Sequence, residues 1–309
     1  MEKIYLVTGA AGFIGSHICE ELLRQPHNIV VGVDNFYSGK QSNIDFLKGI
    51  SNNFIFYNLD ICNHDELCEV MKKHNIKYVF HEAAIASVQT SVENPIFTNE
   101  VNIRGSLSVL EASRKNAVKR LLFASSAAVY GDEPTLPKNE KSVTRPISPY
   151  GLEKLVTEQY MQLYAYQYGL ECIALRYFNV YGPRQDPHSE YSGVISIFDD
   201  RIKQELPITI YGDGEQYRDF IYVKDVAQAN IKLMNHDIDS NNFLVVCTGT
   251  GKSTTVNQLV NILKRKYNSE HIKPTYKDQR IGDIKESISD NSLLISIIGD
   301  NFSQIESCI

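Results

Sequence analysis

No stretch of this sequence approaches the roughly 18 consecutive apolar residues that a membrane-spanning helix needs. There is also no block of lysine and arginine to seek out nucleic acid or an anionic membrane surface. The 31 basic residues face 37 acidic ones, a formal charge of −6. Cys19, Cys62, Cys68, Cys172, Cys247 and Cys308 lie scattered, with no C-x-x-C pair and no histidine at zinc spacing. They read as small buried apolar residues of a reducing compartment, so neither disulfides nor a metal site is expected. Met1-Glu2-Lys3 leads directly into a strand pattern, without the apolar stretch and cleavage site of a signal peptide. Repeats and low-complexity tracts are missing too. What is present is 309 residues with 43% hydrophobic content. That is enough to bury a core, in one large domain or two that share an interface. A soluble, cytoplasmic enzyme is expected.

Short apolar runs recur along the first half: Ile4–Val7, Ile29–Val33, Phe54–Tyr57, Tyr78–Phe80, Arg120–Phe123 and Cys172–Leu175. Near-continuous apolar strands suit a parallel sheet covered on both faces. Helical patterns lie between them, near 13–25, 65–74, 101–116 and 151–168. The alternation predicts an α/β fold with a Rossmann-type doubly wound parallel sheet. Beyond Asn179 turn signals multiply, at Gly182-Pro183, Asp186-Pro187 and Gly212-Asp213-Gly214. Helical stretches near 194–204, 225–236 and 255–267 follow. The expected division is a dinucleotide-binding domain of 1–178 plus about 219–248, and a smaller α/β substrate domain of about 179–218 plus 249–309.

Thr8-Gly9-Ala10-Ala11-Gly12-Phe13-Ile14-Gly15 lies between the first strand and the first helix. Glycines there permit a tight turn, so that a pyrophosphate can rest on free N–H groups at the helix N-terminus. Asp34 ends the second strand, where an acid can bind both ribose hydroxyls and repel a 2′-phosphate. No arginine adjoins it, which favours NAD over NADP. Gly249-Thr250-Gly251-Lys252-Ser253 ends like a phosphate loop, but Val246 occupies the place of that motif's first glycine, so nucleotide hydrolysis is not expected.

Tyr150 and Lys154 stand at i and i+4 on one helix face. A tyrosine of ordinary pKa near 10 is a poor base, and a neighbouring ammonium favours its phenolate. The pair follows Ser125-Ser126-Ala127-Ala128 at the C-terminal end of a strand, where α/β sheets bind ligands.

With these elements in this order, the sequence resembles the extended short-chain dehydrogenases/reductases, and among them the nucleotide-sugar epimerases. The resemblance runs over nearly the whole chain. It rests on the glycine turn, Asp34, His81-Glu82-Ala83-Ala84, Asn99-Glu100-Val101-Asn102, the Ser126/Tyr150/Lys154 set, Arg176-Tyr177-Phe178-Asn179 and Arg218-Asp219-Phe220-Ile221-Tyr222-Val223-Lys224-Asp225. It implies a bound NAD lined by Gly9, Gly12, Phe13, Ile14, Gly15, Asp34, Asn35, Ser38, Gly39, Asp60, Ile61, Ala83, Ala84, Asn102, Tyr150, Lys154 and Phe178. It further implies a UDP-sugar contacted by Ser87, Ser126, Asn179, Val194, Tyr211, Arg218, Arg280, Asp283 and Ser287. Tyr150 would take a proton from a sugar hydroxyl, Lys154 would hold the nicotinamide ribose and Ser126 would bind the reacting oxygen. Arg218 and Arg280 would clamp the diphosphate.

The resemblance also narrows the reaction. Dehydratases and decarboxylases of the family carry an acid directly after the catalytic serine or threonine, whereas Ala127 and Ala128 follow Ser126. Asn179 fits epimerases of neutral sugars. Ser287, four positions after Asp283, is small where a tyrosine would exclude a 2-acetamido group. Arg184-Gln185-Asp186-Pro187 and Ser148-Pro149-Tyr150 are similar to UDP-N-acetylglucosamine 4-epimerases. Interconversion of UDP-GlcNAc and UDP-GalNAc is expected, with UDP-glucose and UDP-galactose as further substrates. Tyr160, Tyr164 and Tyr168 repeat along the Tyr150 helix, a stripe that suits core or interface. That helix pairs with its symmetry mate in the family, so a homodimer is expected. The sequence ends at Cys308-Ile309, a turn or two earlier than relatives, and a frayed C-terminal edge is expected.

Overall fold

The computed structural model describes residues 3–187, 193–238, 240–278 and 285–309. Seven parallel strands form the central sheet: β1 (Lys3–Thr8), β2 (Asn28–Asp34), β3 (Phe54–Asn58), β4 (Tyr78–His81), β5 (Arg120–Ser126), β6 (Glu171–Tyr177) and, after four short strands described below, β11 (Phe243–Thr248). Their order is β11-β6-β5-β4-β1-β2-β3, so the chain winds outward in both directions from β1 and β4. Buried apolar residues fill both faces, which is why the strands lack polar alternation.

One face carries α1 (Phe13–Leu23) and α2 (Gln41–Ile50). The other carries α3 (His64–Lys73). Two short helices, α4 (Val88–Glu93) and α5 (Pro95–Asn99), lead through a π-helical turn at Glu100–Gly105 into α6 (Ser106–Lys115), which packs beside α3. The expected single helix at 101–116 is thus divided, and α2, α4 and α5 are elements the periodicity did not reveal. α7 (Pro149–Tyr168) is held at its start by the Ser148 hydroxyl, which accepts from the Gly151 amide at 3.1 Å. It ends at Gly169 with φ +68°, a left-handed position that suits glycine. Tyr160 and Tyr164 of its tyrosine stripe pack on the core, and the Tyr164 hydroxyl donates to Glu111 at 3.1 Å.

The second half of the chain builds a smaller apolar core beside the C-terminal ends of the strands. It contains β7 (Asn179–Tyr181), α8 (Val194–Lys203), β8 (Thr209–Tyr211), β9 (Tyr217–Arg218) and β10 (Phe220–Tyr222). From β10 the chain runs into α9 (Val223–Met234), which packs against α1, and then into β11. Of the stretch 219–248, the part that joins the central sheet is therefore Phe243–Thr248. After it come β12 (Thr254–Thr255), α10 (Val256–Tyr267), β13 (Thr275–Lys277), β14 (Glu286–Ser287), α11 (Ser292–Ile298) and α12 (Ile305–Cys308). α10 opens with a reciprocal Thr255–Gln258 capping box, legible in the sequence as Thr-x-x-Gln. α11 packs on α9 and β11, back on the main sheet. No helix among the described residues is long and apolar enough to cross a membrane.

Candidate active site

The glycine turn is forced by close approach. Gly9 has φ +70°, and a Cβ there would lie 2.8 Å from the Ala83 amide nitrogen. A Cβ on Gly15 would lie 2.2 Å from the Gly9 carbonyl oxygen. Gly12 caps α1 without any side-chain hydrogen bond, so the first-turn N–H groups stay available to a ligand. At the end of β2, Asp34 accepts from the Ala11 amide at 3.0 Å and the Phe36 amide at 2.8 Å. Burial raises its pKa above the usual carboxylate range, with these hydrogen bonds opposing. Gly39 lets the next loop close over this acid: a Cβ there would lie 2.6 Å from Ala11 Cβ and 2.9 Å from Asp34 Oδ1. Asp60 accepts from the Cys62 amide and the Asn35 side chain, each at 2.8 Å. A turn of glycine and alanine, an open helix N-terminus and an acid at the second strand end fit a dinucleotide.

A cavity of about 1070 Å³ runs from this turn across the strand ends into the second half of the chain. Gly9, Gly12, Phe13, Ile14, Gly15, Asp34, Asn35, Ser38, Asp60, Ile61, Ala83 and Ala84 line its first end. Ser126, Tyr150, Lys154 and Phe178 line its middle, and Asn179, Val194, Tyr211 and Arg218 the far end. Gly39 is not part of the wall. Asn102 stands behind it, accepting from the Ile85 amide at 2.8 Å and donating to Glu153 at 2.6 Å, so it holds the wall loop without facing the cavity. Ser87 is buried too, its hydroxyl capping α4 by accepting from the Thr90 amide at 2.9 Å. Ser287 lies outside the wall, on β14, paired in register with Arg218 of β9. Arg280 and Asp283 lie outside the described residues.

Tyr150 reaches Ser126 because α7 starts almost on top of the turn after β5. A Cβ on Gly151 would lie 2.5 Å from the Ala128 carbonyl oxygen. The Tyr150 amide donates to Ser91 Oγ at 3.1 Å, and Ser126 hydrogen-bonds the phenol. Ser126 Oγ also accepts from the Ala128 amide at 3.1 Å. Lys154 Nζ donates to the Ala124 carbonyl at 2.7 Å and sits 5.7 Å from the Tyr150 ring centre. Burial pushes the Tyr150 pKa up to about 12, with the Glu153 charge adding and the Ser126 hydrogen bond opposing. Burial lowers Lys154 to about 8, against the carboxylates of Glu82, Glu153 and Glu158. In the folded protein desolvation is the largest influence on the phenol, which holds its proton at neutral pH.

Beneath this trio lies an ion pair that sequence reasoning passed over. Arg176 and Glu158 meet at 2.7 Å with almost no solvent contact. Glu158 also receives the Ser125 hydroxyl, and Arg176 donates to the Tyr130 hydroxyl at 3.0 Å. Glu82, Arg184, Arg201 and Gln216 also line the cavity without having been singled out for it. Arg184 pairs with Glu20 of α1, and Lys40 pairs with Asp186 at 2.8 Å, so the loop after β7 is tied to the glycine-turn half. Such long-range partners leave no local spacing signal. Among the described residues there is no group of histidine, cysteine or carboxylate side chains that could hold a metal ion.

Known proteins share this arrangement. A UDP-glucose 4-epimerase from Mycolicibacterium smegmatis is 35% identical over 295 residues, 95% of this chain and 92% of its own. The crystal structure of a UDP-glucose 4-epimerase with UDP-glucose from Thermotoga maritima superposes with a TM-score of 0.91 at 40% identity, covering 99% of this chain and 96% of that one. A UDP-N-acetylglucosamine 4-epimerase from Methanobrevibacter ruminantium M1, in complex with UDP-N-acetylmuramic acid, gives a TM-score of 0.92, again at 40% identity with 99% and 96% covered. The pattern of one family matches residues 5–247, from β1 to the last central strand. NAD is thus the cofactor, and the chain belongs to the NAD dependent epimerase/dehydratase family.

Proposed function

We propose that this protein is a UDP-sugar 4-epimerase, and that its preferred pair is UDP-GlcNAc and UDP-GalNAc, with UDP-glucose and UDP-galactose also turned over. The observation that carries the reading is one continuous cavity joining the NAD cradle, the Ser126/Tyr150/Lys154 trio and Arg218. Epimerases among its relatives support the reaction type.

Tyr150 receives the proton of the sugar's 4-hydroxyl, and Ser126 hydrogen-bonds the same oxygen as it becomes a ketone. Lys154 supplies positive charge beside the phenol, which lowers the cost of the phenolate in a buried site. NAD bound in this cavity would supply the hydride acceptor and donor for C4, and a cationic ring there would add to Lys154 in favouring the phenolate. Between the two transfers the 4-keto sugar turns about its diphosphate link, so the far end of the cavity must hold the nucleotide and leave the sugar room. Arg218 is suited to the diphosphate, since a guanidinium can hold phosphate oxygens in pairs.

Ala127 and Ala128 follow Ser126, so no acid stands there to expel water or assist loss of a carboxyl group. This disfavours dehydration and decarboxylation. Three observations support the acetamido substrates: Ser287 is small, its strand pairs with Arg218, and the Arg184–Pro187 run resembles enzymes of that specificity. A homodimer through α7 is also proposed, supported by Leu152, Leu163 and Tyr166 exposed along that helix. Incubation of the NAD-loaded protein with UDP-GlcNAc, followed by separation of products, is expected to yield UDP-GalNAc. Folded, loaded protein that forms none would overturn the substrate assignment.

A further inference from the structure

Of the carboxylates lining the cavity, Asp34 and Asp60 belong to the glycine-turn end and Asp186 to the loop after β7. Glu82 is different. It follows β4, lines the cavity beside Ala83, and is coupled electrostatically to Lys154. Its Oε1 accepts from the Tyr177 hydroxyl at 3.1 Å. The direction of that bond is fixed one step further away. Asn230 Nδ2 spends its two N–H groups on the Tyr177 hydroxyl at 2.8 Å and the Val226 carbonyl at 2.9 Å, so the tyrosine must give its own proton to Glu82.

Glu82 Oε2, by contrast, is sealed from water and has no hydrogen-bond partner. Lys154, the nearby cation, gives one of its three N–H groups to the Ala124 carbonyl and makes no hydrogen bond to this oxygen. Burial pushes the Glu82 pKa up to about 7, with Tyr177 and Lys154 opposing. A buried carboxylate oxygen left unpaired is costly, and native proteins rarely keep one without a use. Here the chain holds one oxygen by a two-step relay from α9 and keeps the other buried and unpaired within the cavity wall.

The use follows from what must lie there. A nicotinamide ring that exchanges a hydride with a carbon whose hydroxyl faces Tyr150 has to lie next to the Tyr150/Lys154 pair. Glu82 lines the same stretch of cavity. The oxidised ring is cationic and the reduced ring is neutral.

We propose that Glu82 is a positioning residue for the nicotinamide, its buried carboxylate setting a negative charge in the cavity wall beside Ala83 that favours the cationic ring and so holds the bound cofactor in the oxidised form. Combined with the epimerase reading, this gives the carboxylate a purpose. An enzyme that must return every hydride is slowed by any tendency to remain reduced, and Glu82 works against that tendency.

The test compares the NAD-loaded protein with Glu82→Gln, which keeps the shape and an acceptor for Tyr177 but removes the charge. Each is equilibrated at pH 8 with a redox dye of known potential, and the reduced nicotinamide is read by its near-ultraviolet absorbance. The expected result is an oxidised-to-reduced ratio about tenfold lower in Glu82→Gln, an upward shift of about 30 mV for a two-electron couple. Glu82→Asp, which keeps the charge but withdraws it by one methylene, shifts the ratio the same way by less. A role confined to packing would change the melting temperature or the cofactor content and leave the ratio alone. An unchanged ratio in either loaded variant overturns the proposal. No sugar is needed, so the result stands apart from the substrate assay.

Discussion

Thr250 grips Asp219 twice, its backbone amide at 2.8 Å and its hydroxyl at 2.7 Å from the same carboxylate oxygen. The other oxygen accepts from the Gly251 amide at 3.0 Å and the Ser289 amide at 3.1 Å, and from the Ser289 hydroxyl. The Gly249–Ser253 run that resembles a phosphate loop therefore wraps an anion after all, but the anion is a side chain of its own protein. Asp219 is fully buried between Arg218 and Phe220, so this clamp sets where Arg218 meets the cavity.

Removing the charge from that clamp leaves several donors facing an amide that has its own N–H groups. Asp219→Asn is expected to lose about 3 kcal/mol or more of stability, and Thr250→Val, which removes the hydroxyl's bonds to Asp219 and from the Lys252 amide, about 1–3 kcal/mol. Urea titration reads both. An Asp219→Asn protein as stable as its parent would show that the clamp contributes nothing.

Tyr150→Phe keeps the ring and its packing while removing the proton-holding oxygen. We expect turnover of UDP-sugars to fall by about 10²–10⁴-fold, the range of a lost general base, with NAD content unchanged. Full activity in this variant would assign the proton to another group.

Ser287→Tyr tests substrate size at the strand next to Arg218. The expected outcome is selective loss of UDP-GlcNAc and UDP-GalNAc turnover, with the two non-acetylated sugars spared. Equal loss of all four would instead indicate damage to the β9–β14 pairing.

His81 makes the fold acid-sensitive. Its Nε2–H donates to Ser106 Oγ at 2.9 Å, and Ser106 passes its own proton to the Asn102 carbonyl at 2.6 Å. Nδ1 accepts from the Thr8 hydroxyl at 2.8 Å, and that hydroxyl accepts from the Ala83 amide at 3.2 Å. Protonating the imidazole would set its second N–H against the Thr8 donor. Burial first, then Lys154, lowers its pKa to about 3, and burial lowers His17 to about 4. Through these two histidines the unfolded chain binds more protons than the native one below about pH 6.5, so their contribution to stability is lost as pH drops from there toward 3, while Glu82, raised to about 7, offsets part of that loss. Thermal melting between pH 7.5 and 4.5 should show a loss of a few kcal/mol. His81→Gln, which does not titrate, should flatten that acid limb.

How much of this was legible in the sequence depended on how far apart the cooperating atoms lie along the chain. The central strands were readable because burial on both faces makes each run apolar. The Tyr150/Lys154 pair was readable because i and i+4 share a helix face. α4 and α5 were not, since they span only six and five residues; α2, as long as α3 and burying Ile44 and Leu47, was passed over. Ser87 and Asn102 were read as contacts. The fold instead spends their polar groups on the α4 cap and the Ile85 loop, a choice that depends on which neighbours arrive.

The sequence alone determined the glycine turn, the acid at the end of β2, and the order of serine, tyrosine and lysine, because the glycines are near neighbours, Tyr150 and Lys154 lie one helical turn apart, and Asp34 and Ser126 each follow a strand legible as an apolar run. The tertiary structure alone decided the rest. It buried Tyr150 deeply enough for desolvation to push its pKa up, tied Arg184 to Glu20, closed Thr250 on Asp219, and left Glu82 Oε2 without a partner. Each of these brings together groups far apart in the chain, or depends on how much water packing removes, and local spacing encodes neither.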